Sequence, residues 1–180
     1  NAEFRYYPIV LSAPNAAVTA RLISNGSGVN LRGGARSWND VGTPVTFRVG
    51  PDEFVFGGLR DRLSEPTLAE GWLPIAEICY RHPSPLQSEG TVPLRQQKII
   101  LPPEVYRLEA FASTDAGWVS NCIVFVKFDL AQGTNGYVAV DVDAGSALRV
   151  VDRQVVDDQG RVLVMLDDRW KWERRLASTR

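Results

Sequence analysis

The chain carries one histidine and two cysteines in 180 residues, and two of these three meet in "GWLPIAEICYRHP", residues 71–83. A thiolate and an imidazole are zinc ligands, and the same pair makes a nucleophile and its base. Either chemistry needs Cys79 and His82 to converge. Written as a strand, "IAEICYRH" sends Ala76, Ile78, Tyr80 and His82 to one face and Ile75, Glu77, Cys79 and Arg81 to the other. Zinc would further need Cys122 and a fourth ligand, and there is no second histidine to supply it. We therefore expect His82 to be a hydrogen-bonded strand end before a turn at Pro83. No catalytic residue, metal site or cofactor is assigned.

Asp141 and Asp143 share one face of "GYVAVDVDAG" at about 7 Å by strand rise. Paired acids at short range can hydrolyse glycosides or bind calcium. An EF-hand is excluded, because "DVDAGSALRVVD" has Gly145 and Ser146 where a third ligand and a glycine belong. The expectation is a solvated face, with Asp157/Asp158 and Asp167/Asp168 at turns and strand ends. "SNGSG" and "LRGGAR" lack the Gly-Lys-Ser/Thr of a phosphate loop and are expected to be flexible. Asn25, Gly26 and Ser27 satisfy the glycosylation sequon.

The five tryptophans are the strongest binding signal. Trp38, Trp72 and Trp118 sit beside glycine or polar loop residues, where an exposed indole face can stack on the C–H face of a sugar. They are the candidate carbohydrate-binding residues. In "RWKWERR", Trp170 and Trp172 share a strand face opposite Arg169, Lys171 and Glu173, a candidate docking edge for another domain or subunit. Burial in a sandwich core or an interface is the competing use for all five.

The elements that must position these residues alternate with period two. Val18, Ala20 and Leu22 oppose Thr19 and Arg21, and Val45, Phe47 and Val49 oppose Thr46 and Arg48. In "GYVAVDVDAG" Val138, Val140 and Val142 point inward. "NCIVFVKFDLA" is apolar on both faces for half its length, which predicts a central, doubly covered strand. "RQVVDDQGRVLVML" predicts a hairpin turning at 157–160. "SEPTLAEGW", with an N-cap at Ser64 and a stop at Gly71, predicts one or two helical turns, and "KWERRLAS" allows another. "HPSPLQSEGTVP" predicts a long exposed loop.

These patterns predict an all-β fold, an antiparallel two-sheet β-sandwich with at most one or two short helical turns, as a single domain over residues 1–180. Hydrophobic residues at 44% and charged residues at 23% suit a soluble globular chain. The 20 basic and 21 acidic residues cancel, so a nucleic-acid partner is not expected. No run approaches the roughly 20 apolar residues of a membrane span, and the first residues lack a signal-peptide pattern. The chain opens on Asn1, which we read as a processed or excised piece of a longer polypeptide. Cys79 and Cys122 are expected to be thiols acting as small hydrophobes, with a pairing between them the alternative.

The stretch from Asp61 to Asp143 resembles the N-terminal β-sandwich, or super-sandwich, of bacterial carbohydrate-active enzymes with an (α/α)6 catalytic barrel. The residues that carry the likeness are Gly71, Trp72, Leu73 and Pro74, then Ala110, Phe111 and Ala112, then 124–128 with Leu130. The resemblance implies a non-catalytic accessory domain that packs on a catalytic barrel or contributes to glycan binding, in a periplasmic or extracellular setting. That family's catalytic carboxylates lie in the barrel, so none carries over. Two other readings stand beside it: a structural or oligomerising sandwich, whose partner is a second copy, and a self-contained enzyme built around Asp141 and Asp143.

Overall fold

A computed structural model describes residues 8–14, 16, 18–32, 43–82, 103–119, 122–143, 147–169 and 171. The chain forms two compact units, Asn1–Val142 and Asp143–Arg180. The first unit holds β1 (Ile9–Leu11), β2 (Thr19–Leu22), β3 (Gly28–Arg32), β4 (Thr43–Val49) and β5 (Phe54–Val55). It continues with β6 (Thr67–Leu68), β7 (Ala76–His82), β8 (Glu104–Ala112), β9 (Val124–Gln132) and β10 (Val138–Val142). They form two antiparallel sheets. One runs β1-β2-β3-β4-β10, with β5 also on β4, and the other runs β6-β7-β8-β9. The expected all-β, antiparallel sandwich is present, with short 3₁₀ turns at Arg60–Arg62 and Ala69–Gly71. No helix among the described residues is long and apolar enough to cross a membrane.

Period-two alternation puts one apolar face of each sheet against the other. Ala20, Leu22 and Val49 of the first sheet are fully buried, as are Ile78, Tyr80, Leu108 and Ala110 of the second. Aromatic rings join the layers. Phe56 lies 5.3 Å from Tyr80 and 5.5 Å from Phe128, and Phe128 lies 5.2 Å from Phe47, mostly edge to face. Each such buried side chain contributes roughly 2–3 kcal/mol by leaving water. Cys122, at φ 47°, turns the chain into β9 and sets its buried Sγ 3.7 Å from the Leu11 carbonyl. Both cysteines are free thiols, with Cys79 half-buried on the opposite face.

Three expectations are corrected. Among the described residues β9 is an edge strand and not a central one, pairing with β8 alone in the strand order. Its second apolar face is explained by ring stacking on the sheet surface, described below. "SNGSG" is a tight, buried β2–β3 turn and not a flexible loop, because Gly26 at φ 75° lies against the core, where a Cβ would meet Phe56 at 2.5 Å. Asn25 is buried there, donating from Nδ2 to the Gly57 carbonyl and accepting from the Ser27 N–H, so the folded sequon offers no free amide. Ser64 caps no helix. Its hydroxyl accepts from the Cys79 N–H at 2.8 Å and its own N–H donates to the Cys79 carbonyl, a strand-like bridge onto β7.

A polar clasp closes one end of the sandwich. His82 is 1% exposed and its Nε2 lies 2.7 Å from Oδ1 of Asp52, on the β4–β5 turn of the other sheet. The Tyr106 hydroxyl donates to Glu104 and accepts from the Tyr137 N–H, again crossing between sheets. Tyr137 in turn donates to Glu53 from its hydroxyl, and its carbonyl accepts from Gly50. Gly50 has φ 77°, and a Cβ there would fall 2.5 Å from the His82 ring.

The second unit carries a meander of β11 (Arg149–Val151), β12 (Gln154–Val156) and β13 (Val162–Met165). The expected hairpin at 157–160 is built on Asp157, whose buried carboxylate accepts from the Gln159 and Arg161 N–H groups and from Arg161 Nε. Burial pushes this acid up, but the hydrogen bonds and charge of Arg161 outweigh it and hold Asp157 below the usual carboxylate range. "KWERRLAS" and "HPSPLQSEGTVP" lie outside the described residues apart from Lys171 and His82.

Two measurements check the clasp and core. Gly50→Ala combines left-handed backbone strain with a clash on His82 and should lower stability by about 2 kcal/mol or more in urea unfolding. Burial raises the Tyr80 and Tyr106 phenols above their usual value, and for Tyr106 the bond to Glu104 adds to this. Raised folded values mean stability is full below the ordinary phenol range, about 10, and declines as pH climbs through the folded values. Thermal melts from pH 8 to 11.5 should show a plateau and then a fall, and Tyr106→Phe should shallow that fall.

Candidate functional site

The outer face of the β6-β7-β8-β9 sheet is the most specialised surface of the first unit. Direct cross-strand pairs place Cys79 beside Arg107, Glu77 beside Glu109, Lys127 beside Glu109 and Asp129 beside Arg107. In the middle of the face Lys127 and Arg107 form ion pairs with Glu109 and Asp129, while Glu77 faces Glu109 as a like charge. Lys127 Nζ lies 2.8 Å from Asp129 and 3.3 Å from Glu109, while Arg107 Nη2 lies 2.9 Å from Asp129. The Lys127 bond first, and the Arg107 bond next, hold Asp129 below the usual carboxylate range. Ion pairs at this exposure contribute little stability each, but they fix Lys127, Arg107, Glu109 and Asp129 to one another across β8 and β9.

At one end of the same face the charges give way to rings. Phe111 and Phe125, opposite each other on β8 and β9, stack at 5.3 Å with planes 26° apart. Trp118 lies 5.9 Å from Phe125, tilted by 38°, so three rings make a continuous row. Trp118 is 46% exposed and Phe125 39%. The Trp118 turn is fixed by Asp115, whose carbonyl accepts from the N–H groups of Trp118 and Val119 and whose Oδ1 accepts from Gly117. The Asp115 N–H in turn donates to Ser113 Oγ.

Beside this row lies a shallow depression of about 510 Å³ between residues 73–75 and residues 111–115, apolar at Leu73, Ile75 and Phe111 and polar at Ser113, Thr114 and Asp115. Trp72 immediately precedes its first wall and is the most exposed tryptophan described, at 69%. The 3₁₀ turn holds it out: the Trp72 and Leu73 N–H groups both donate to the Ala69 carbonyl, and Gly71 takes φ 80°. The structure therefore brings Trp118, Phe125 and Phe111 into one row and leaves Trp72 exposed on the residue preceding Leu73, which lines the adjoining depression. Trp38, Trp170 and Trp172 lie outside the described residues.

The remaining chemistry-bearing residues fall elsewhere. His82 and Cys79 point to opposite faces of β7, as the alternation requires, with His82 inside the clasp. Asp141 is ion-paired to Arg48 at 2.6 Å across β10 and β4. A second open depression, about 600 Å³, involves Asp61, Arg62, Cys79 and Arg81. Among the described residues no group of three or more His, Cys, Asp and Glu side chains is placed to hold a metal. Phe111 and Phe125 are the site residues that sequence reasoning missed. Their signal was the apolar second face of "NCIVFVKFDLA", read there as cover by another layer. Comparison of the chain with protein-family models, with curated proteins and with solved structures gave no match.

Accessible indoles react fastest with N-bromosuccinimide. Trp118→Phe and Trp72→Phe should each remove one fast-reacting tryptophan from the oxidation titration, without changing the far-ultraviolet circular dichroism. A fast phase of unchanged amplitude in either variant would contradict the exposure described.

Proposed function

We propose that this chain is a non-catalytic accessory β-sandwich of a carbohydrate-active enzyme and that it contributes glycan contacts through Trp118, Phe125 and Trp72. The observation that carries this reading is the ring row Phe111, Phe125, Trp118, held open to solvent beside a depression with polar groups on one side. Sugars offer a C–H face to an aromatic plane and hydroxyls to polar neighbours, and both halves of that chemistry stand side by side here. The resemblance of residues 61–143 to the sandwich that accompanies (α/α)6 barrels points the same way. Packing against a catalytic barrel is the second use of the same exposed rings, favoured by their continuity as a patch.

Calorimetric titration with a panel of neutral oligosaccharides separates the two uses. For a glycan that binds, Trp118→Ala should weaken affinity by about tenfold, since an aromatic contact contributes ~0.5–1.5 kcal/mol and tenfold corresponds to about 1.4 kcal/mol. Trp72→Ala should weaken it less. Wild-type affinity in both variants would remove the carbohydrate assignment.

A further inference from the structure

We propose that two copies of this chain pair antiparallel through the free edge of β9, with the two-fold axis at Phe128. Among the described residues β9 has β8 on one side and no strand on the other. The inward side chains along that edge are incompletely covered. Val126, Phe128 and Leu130 point inward yet are only half-buried, whereas their β8 partners Ala110, Leu108 and Tyr106 are at most 1% exposed. A bare edge is a template for another strand, and proteins commonly block it with a lysine. Lys127 stands on this edge strand, but Asp129 follows two residues later on the same face, so the block is self-complementary.

Register decides the pairing. A register centred on Phe128 sets Lys127 of each copy opposite Asp129 of the other, twice, and sets Val126 opposite Leu130 on the inner face. Centring on Lys127 or on Asp129 sets like charges opposite each other, which is unfavourable in cross-strand pairs. Centring between residues sets the inner face of one copy beside the outer face of the other. The irregularity that pairs Val105 with Gln132 and Tyr106 with Leu130 leaves Ala131 as a bulge. That bulge ends the regular edge one residue past Leu130. The pairing therefore spans residues 126–130 and joins two four-stranded sheets into one of eight strands. The outer faces of both copies lie on one side, with the two Phe125 rings roughly 20 Å apart along the strands. The dimer does not depend on the glycan reading.

Sedimentation velocity of the full chain at rising concentration and low salt should show a monomer–dimer equilibrium. Lys127→Glu alone and Asp129→Lys alone should each weaken dimerisation by about tenfold or more, because both create two like-charge pairs. An equimolar mixture of the two variants should recover the dimer, since every pair across their shared edge is then opposite in charge. A folding defect in either variant predicts no such recovery, and circular dichroism monitors it separately. A wild-type chain that stays monomeric, single variants that dimerise normally, or a mixture that stays monomeric would each overturn the proposal.

Discussion

The first unit depends on one packing event, the closure of its two sheets over Phe56. This ring stands between Tyr80 and Phe128 of the opposite sheet and faces Gly26 on its own. Nothing larger than glycine fits at position 26, so the β2–β3 turn, the Phe56 ring and the β7 face must assemble together. Interiors at this density transmit strain and do not absorb it. The outer surface inherits that rigidity: β8 holds Phe111 beside the fully buried Ala110, and β9 holds Phe125 on a strand whose Phe128 packs against Phe47 and Phe56.

Several buried polar contacts tie separate parts of the first unit together. His82 with Asp52, and Tyr106 with Tyr137, tie the sheets at one end, where burial without partners would be costly. Asn25 does the same for the turn against Gly57. These contacts select one arrangement of the sheets from the many that the apolar faces alone would accept. They also explain why the sole histidine is a structural residue: its ring is enclosed, and its acid partner sits on the turn that encloses it.

What could be read from the residues was local. Alternation identified the inward sets on β2, β4, β7 and β10 and the hairpin of β12 and β13, since each depends on spacing within one strand. Strand order did not follow, because an apolar second face on β9 has two physical causes, cover by another layer or stacking with rings on the surface. Only the pairing of Phe125 with Phe111 separates them. The same gap hid His82 and Asp52, thirty residues apart, and the burial of Asn25. Trp72 and Trp118 were found because glycine and polar neighbours keep a ring out of a strand, a property that does not need the partner strand to be known.

The geometry around Asn25 also bears on how this chain can be produced. In the secretory pathway of a eukaryotic host, the oligosaccharide is transferred to the nascent polypeptide while the sequon is still extended. An Asn25 so decorated could no longer place its amide beneath the Gly57 carbonyl, and a bulky sugar tree would be wedged where the hairpin meets Phe56. Yeast or insect secretion would then yield a trapped, misassembled product, whereas bacterial expression leaves the amide bare and the turn free to close.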